Sequence, residues 1–379
     1  MISISIADLR EAARRRLPRM VFDYIDGGAD DELTLRRNAA RFGDYQLLWD
    51  VLADVEHIDL TTTVLGHKAA APIIIAPTAS SRLFNPRAGE KAVARAAHEH
   101  GLLYSASTLA STAIEDIARE TPSPKLFQVY VWRDRGLVRE ILQRAKAAGF
   151  AGIILTVDTP MAGNRERDPR NHFSIPPKIN IHTAAQALVR PGYLYDLATT
   201  APIEAANFAH VKGGVGGVVD FIDNQFDRAV TWRDAAWMRE QWGGVFAIKG
   251  LSRARDAAQC IDIGADAVWV SNHGGRQLDT APATIDLLRP IVDAVAGRAD
   301  IILDGGVRRG SDILKALALG ARAVAIGRPY LWGLAASGEA GVRRALDILR
   351  SELARTMTLT GRTSIAALGP DLVVPPLLG

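Results

Sequence analysis

The chain has 379 residues, 48% apolar and 23% charged, with 45 basic against 42 acidic side chains and a formal net charge of +3. That length suffices for one large domain, and the composition is ordinary for a soluble globular protein. A charge so near balance excludes nucleic acid as an electrostatically recruited partner, and a single cysteine, Cys260, excludes an internal disulfide.

The chain opens with "MISISIADLREAARRRLPRM", which has amphipathic helical spacing and lacks the apolar run and cleavage site of a secretory signal. A cytoplasmic location is therefore expected. Residues 1–70 read as a helical N-terminal extension whose last part, "EHIDLTTTVLGHKA" (56–69), predicts a short hairpin. The longest apolar stretch, "AAAPIIIAPTA" (69–79), is about half of what a membrane span needs.

Apolar strand-like runs then recur: "PIIIAPT" (72–78), "GLLYSAS" (101–107), "KLFQVYV" (125–131), "GIILTVD" (152–158), "VFAIKG" (245–250), "AVWVSN" (267–272), "IILDGG" (301–306) and "AVAIGR" (323–328). Intervening segments such as "GEKAVARAAHEHG" and "GSDILKALALGA" carry apolar residues at helical spacing. Cys260 falls in such a segment, as a small core residue would. Successive apolar positions within the strands imply burial on both faces. Eight strand–helix units over roughly 250 residues match an α/β protein of the (β/α)8 TIM-barrel class. An open doubly wound sheet is the rival, but no G-x-G-x-x-G follows the first strand.

The expected organisation is a single domain over 1–379, with the extension at 1–70, the barrel at 71–350 and a C-terminal segment at 351–379. The hairpin would close the barrel bottom. A long loop after strand four spans 161–231 and holds Pro169, Pro176, Pro177, Pro191, Pro202 and "GGVGGVV" (213–219). A connection of this length is a lid, a binding loop or a disordered segment.

Active sites of such barrels lie at the C-terminal strand ends. Those ends carry Thr78 and Ala79, Ser107, Gln128 and Tyr130, Thr156 and Asp158, Lys249, Ser271 and His273, Asp304, and Gly327 with Arg328. The last two, "DGGVRRGSD" (304–312) and "IGRP" (326–329), place Gly305, Gly306 and Gly327 where backbone N–H groups can approach a phosphate, beside Arg308 and Arg328. A phosphorylated cofactor or substrate is implied. Lys249 ends an apolar strand and could hold a negative charge that develops during reaction, or pair with Asp304 or Asp158. His273 suits proton transfer near neutral pH, with Asp158 as orienting partner. Arg276 and Arg165 suit a substrate carboxylate. Together these residues would hold an acid while a proton is taken from it.

With "SNHGGRQLD" (271–279) stand "MVFDYIDGGADDELTLRRN", "APTA", "FQVYV", "TVDTP", "KG", "DGGVRRGSD" and "IGRP", in that family's order. Over essentially its whole length the chain resembles the FMN-dependent L-2-hydroxy acid oxidase and dehydrogenase family, which includes glycolate oxidase, lactate oxidase, and lactate and mandelate dehydrogenases. The resemblance implies FMN as cofactor, His273 as base paired with Asp158, and a substrate carboxylate on Arg276 and Arg165 with hydrogen bonds from Tyr130 and Tyr24. It implies Lys249 beside the flavin N1 and C2 carbonyl. Thr78, Ala79, Ser107, Gln128, Thr156 and Ser271 would line the ring and ribityl chain; Asp304, Gly305, Gly306, Arg308, Gly327 and Arg328 would hold the ribityl tail and phosphate. No metal is called for.

The resemblance further implies oxidation of an L-2-hydroxy acid to the 2-keto acid. L-lactate with a quinone-type acceptor leads, with L-mandelate or an oxygen-using, peroxide-forming reaction as alternatives. No haem-binding segment precedes the barrel, so a flavocytochrome is not expected. Leu109 stands where glycolate oxidases carry a channel tryptophan, which speaks against glycolate. A homotetramer is expected. So is peripheral membrane contact through 161–231, where Leu188, Val189, Tyr193, Leu194 and Tyr195 are interspersed, although the stretch is not strongly basic.

Overall fold

The computed structural model describes residues 3–173, 181–208 and 226–376. Eight parallel strands close into a barrel: β1 (Ile73–Ile75), β2 (Leu103–Ser107), β3 (Lys125–Val129), β4 (Gly152–Thr156), β5 (Val245–Leu251), β6 (Ala267–Val270), β7 (Asp300–Leu303) and β8 (Ala323–Ile326). Each pairs with its sequence neighbours, and β8 closes on β1 through Val324–Ile73 and Ile326–Ile75. This is a (β/α)8 TIM barrel, not an open sheet.

Strand alternation sorts the apolar residues into two cores. Ile74, Leu103, Leu126, Ile154, Ala247, Trp269, Ile302 and Ala323 fill the barrel interior, whereas Ile73, Phe127, Ile153, Phe246, Val268, Ile301 and Val324 pack under the helices. The expected hairpin, Thr62–Val64 with His67–Ala69, sends Val64, Leu65 and Ala69 into the interior core. The Leu65 N–H donates to the Asp300 carboxylate over 2.7 Å. The N-terminal end of the barrel is thereby sealed.

Three helices build the extension: α1 (Ile6–Arg16), α2 (Arg19–Asp26) and α3 (Leu33–Ala40). Ser5 and Asp8 form a capping box at the start of α1, whose Ile6, Leu9 and Ala13 are buried as it packs on the C-terminal helix Arg328–Thr360. That last helix runs through residue 350 and is interrupted at Ser337 and Gly338. Cys260 is buried in the helix Ala254–Asp262.

Between β4 and β5 the structure holds more helix than the sequence disclosed: Arg167–Arg170, Ile181–Leu188, Pro191–Ala198 and a 3-10 turn at Ala206–Phe208. Tyr193, expected among residues available to a membrane, is buried, and its hydroxyl donates to the Leu83 carbonyl over 2.8 Å. Leu188, Val189 and Tyr195 are exposed. Pro176, Pro177 and "GGVGGVV" lie outside the described residues.

Candidate active site

Six of the eight strands end two or three residues before the runs read from sequence, β2 ends with its run at Ser107 and β5 one residue beyond it at Leu251, and the residues at and past these ends face a cavity of about 700 Å³. Tyr24, Thr78, Ala79, Ser107, Gln128, Tyr130, Thr156, Arg165, Lys249, His273, Arg276, Asp304, Gly305, Gly306, Arg308, Gly327 and Arg328 all line it. Asp158 and Ser271 are not on its surface; they support groups that are.

His273 sits in the left-handed region (φ 56°), with its backbone N–H donating to Ser271 Oγ at 3.0 Å. Its Nδ1 lies 2.9 Å from Asp158 Oδ1, so Nδ1 carries the proton toward the carboxylate and Nε2 remains for a cavity ligand. Gln277 fixes the adjoining loop by donating to the Asp158 and Met161 carbonyls. Burial alone would raise the Asp158 carboxyl, but the His273 ring and the Lys249 ammonium outweigh it and hold the group well below the usual carboxylate range.

Lys249 is buried at the end of β5. Its Nζ donates to Ser271 Oγ at 3.1 Å and stands 3.5 Å from Asp304 Oδ2 and 4.0 Å from Asp158 Oδ2. Burial disfavours the ammonium, yet Asp304 and Asp158 more than compensate and raise its pKa above the ordinary value. Asp304 in turn accepts from Ser271 Oγ at 2.7 Å and from Trp269 Nε1 at 2.9 Å. Trp269, a barrel-core residue in the sequence pattern, therefore also orients a site carboxylate; nothing in an apolar strand run announces that second task. Lys249 is thereby held in its cationic form.

At the other side of the cavity, α2 delivers Tyr24 between two guanidiniums, Arg165 at 5.4 Å and Arg276 at 5.0 Å from its ring centroid. Arg276 Nη1 donates to the Tyr24 and Gly27 carbonyls, and burial, with Arg165 as like charge, pushes its pKa down to about 10. Both guanidiniums are partly buried, and Asp168 already faces Arg165 at 3.4 Å; a substrate carboxylate would add a second counter-charge to the pair. Leu109, Phe173, Ile203, Ala205 and Phe226 form an apolar stretch of the same cavity wall. All but Leu109 come from the segment after strand four that sequence patterns left unread.

Gly305 (φ 98°) and Gly306 (φ 93°) follow β7, and a Cβ on Gly306 would come within 2.0 Å of the Asn38 carbonyl at the end of α3. Close backbone packing here requires glycine. Arg308 stacks on Trp332 at 4.9 Å, and burial pushes its pKa down to about 10. Arg328 behaves differently from a free phosphate ligand: its guanidinium donates to the carbonyls of Ile25, Gly274 and Gly27 at 2.9, 3.0 and 2.8 Å. Its side chain thus clamps α2 to the His273 loop. Burial and the like charges of Arg276 and Arg308 lower its pKa well below the ordinary value.

These residues fit FMN. Among the described residues the buried Gln128 Nε2 and Thr156 Oγ1 have no hydrogen-bond partner, as expected of groups that face a polar ring. The buried cationic charge beside the Gly305–Gly306 turn calls for an anion, and about 700 Å³ lies within the range of cofactor pockets.

The sequence profile of the FMN-dependent dehydrogenases matches residues 13–375, and the chain belongs to this family. It is 41% identical over 377 residues to the L-lactate dehydrogenase of Caulobacter vibrioides, covering 98% of each chain, and 40% identical over 363 residues to glycolate oxidase 1 of rice (Oryza sativa), covering 96% of this chain and 93% of that one. Among solved structures, a monotopic membrane protein, (S)-mandelate dehydrogenase, superposes with a TM-score of 0.96 at 35% identity, covering 99% of this chain and 100% of that one. The protein is an FMN-dependent oxidoreductase that oxidises 2-hydroxy acids.

Proposed function

We propose that the chain oxidises an L-2-hydroxy acid to the 2-keto acid, with L-lactate as substrate and a quinone-type acceptor. The observation that carries the reading is His273, held by Asp158 at 2.9 Å from behind, which lines one cavity with Arg276, Arg165 and Tyr24. In this reading Arg276 and Arg165 grip the substrate carboxylate, and Tyr24 and Tyr130 donate their hydroxyls to substrate oxygens. Burial pushes the Tyr130 phenol up, which keeps it a donor. His273 Nε2 takes a proton from the substrate, and Asp158 steadies the imidazolium that results. Bound FMN supplies the two-electron acceptor. Gln128, Thr156, Ser107, Thr78 and Ala79 would hold the ring, with Ser271 supporting Lys249. Lys249 would place fixed positive charge where negative charge accumulates, and Asp304, Gly305, Gly306, Arg308, Gly327 and Arg328 would surround the ribityl tail and phosphate.

A second reading, L-mandelate, is favoured by the apolar wall of Leu109, Phe173, Ile203, Ala205 and Phe226, which offers an aromatic side chain a place to bury. Steady-state kcat/KM for L-lactate, L-mandelate and glycolate, each with a quinone and with oxygen, tests the reading. The expected order puts L-lactate with quinone first. A higher value for L-mandelate selects the second reading, and a higher rate with oxygen rejects the quinone. Peripheral membrane contact through the exposed Leu188, Val189 and Tyr195 belongs to the same proposal, supported by the monotopic character of the mandelate dehydrogenase. So does a homotetramer.

A further inference from the structure

Tyr24 and Arg165 reach the substrate side of the cavity from different parts of the chain, one on α2 and one just beyond β4. Several contacts register these two segments, among them the Tyr24–Phe173 ring contact at 4.7 Å and the Asn171 and Asn164 side-chain amides donating to Asp23 Oδ2 and Asp30 Oδ1, each at 2.8 Å; one of them gathers three carboxylates on a guanidinium outside the cavity lining. Arg167 Nη1 lies 3.2 Å from Asp23 Oδ1 and 3.4 Å from Asp26 Oδ2, and Nη2 lies 2.5 Å from Glu32 Oε2. Three carboxylates of the extension thus converge on one cation of the opposite segment. Asp26 is buried and is also held by Arg10 through two bonds of 2.6 and 2.7 Å. Arg19, the other cation near Asp23, is 78% exposed, so water screens its 3.3 Å contact. Without Arg167 the three carboxylates repel one another across a partly buried joint, and α2 has less reason to stay against the segment that carries Arg165.

We propose that Arg167 is a positioning residue for substrate binding: it locks α2 to the post-β4 segment and so sets Tyr24 between Arg165 and Arg276. The inference rests on the proposed carboxylate-binding role of that trio. Its reach is specific. The phosphate-end residues Gly305, Gly306 and Arg308 lie on the loop after β7, and Arg328 holds the α2 turn through its own bonds to the Ile25 and Gly27 carbonyls, so cofactor retention is expected to depend on Arg167 less than substrate affinity does.

The test uses the flavin-loaded enzyme in five forms: wild type, Arg167→Met, Arg167→Lys, Tyr24→Phe and the Arg167→Met/Tyr24→Phe double variant. Arg167→Met is expected to raise KM for the hydroxy acid about tenfold while kcat changes less than about threefold and flavin content is unchanged. Arg167→Lys recovers most of the affinity, because a cation at the joint is restored. In the Tyr24→Phe background, Arg167→Met adds less than about threefold, since the two act on one contact. Where Tyr24→Phe itself raises KM, equal tenfold effects of Arg167→Met in both backgrounds would overturn the proposal; so would loss of flavin with KM unchanged, or no rescue by lysine. Tyr24→Phe with unaltered KM would instead contradict the substrate-binding reading of Tyr24, while a raised KM in Arg167→Met would still uphold the lock through Arg165.

Discussion

A carboxylate at position 158 is kept ionised by the His273 ring and the Lys249 ammonium, and that single fact couples the chemistry of the site to its stability. The Asp158 pKa lies below its ordinary value of 3.8 in the folded protein. Its stabilising contribution is therefore fully present above that value and is lost as pH falls toward the folded-state pKa. Asp158→Asn should lower the melting temperature at neutral pH, with a wild-type-to-variant gap that persists down to about pH 4 and shrinks below it; a gap that grew on acidification would contradict the assignment. The same variant removes the charge that steadies a protonated His273, so the rate of flavin reduction by substrate should fall by about a hundredfold or more. Lys249 has the opposite sign. Its pKa is raised above 10.5, so its contribution is complete below that value and is lost only as pH rises through the folded-state pKa. Between those limits the Asp158 carboxylate and the Lys249 ammonium both keep their charge.

Strand ends were the most legible elements, for a physical reason. A buried parallel strand is a short β-branched run, and a polar residue at its C-terminal end is conspicuous. Lys249, His273, Asp158 and Gln128 were readable on that ground, and the hairpin at 62–69 was readable from its turn. The post-β4 segment was not. Its helices are short, rich in proline and packed on one side only, so periodicity never accumulates over enough residues to be distinctive. Tyr193 shows the consequence: in sequence it is one of several apolar residues, but on Pro191–Ala198 it is buried with Asp196 and its hydroxyl reaches Leu83, whereas Tyr195 is exposed. Arg328 shows the limit at a site residue, because the "IGRP" motif gives no hint that the guanidinium is spent on three backbone carbonyls. The joint between β7 and α3 makes a test at this scale. Gly306→Ala would force a methyl within 2.0 Å of the Asn38 carbonyl at a φ of 93°, so α3 or the loop must move. A cost of about 1–3 kcal/mol is expected, read as a lower melting temperature together with lower flavin occupancy; a variant with wild-type melting would show that the loop has slack.

Over the whole molecule, the barrel brings residues from position 24 to position 328 to one rim, and the extension covers that rim instead of trailing from it. Arg276 and Arg328 both donate to the Gly27 carbonyl, so the substrate end and the phosphate end hold the same turn. Among the described residues no helix is long and apolar enough to cross a membrane. Contact with a bilayer would have to come through side chains such as Leu188, Val189 and Tyr195, which are 69%, 65% and 64% exposed. The proposed contact predicts that the protein co-sediments with phospholipid vesicles and that Leu188→Ser/Val189→Ser weakens this without altering flavin content. A wild-type protein that stays in the supernatant would dismiss the contact.

The central claim is that an imidazole held by Asp158 takes the substrate proton beside bound flavin. Anaerobic stopped-flow bleaching of the flavin measures that step directly, in the wild type and in His273→Gln, with both enantiomers of lactate and of mandelate. The wild type should bleach with an L-acid and not with its D-isomer, and His273→Gln should retain flavin while losing about 10²–10⁴-fold in rate. Bleaching of His273→Gln at the wild-type rate, or of the wild type equally by both enantiomers, would contradict it.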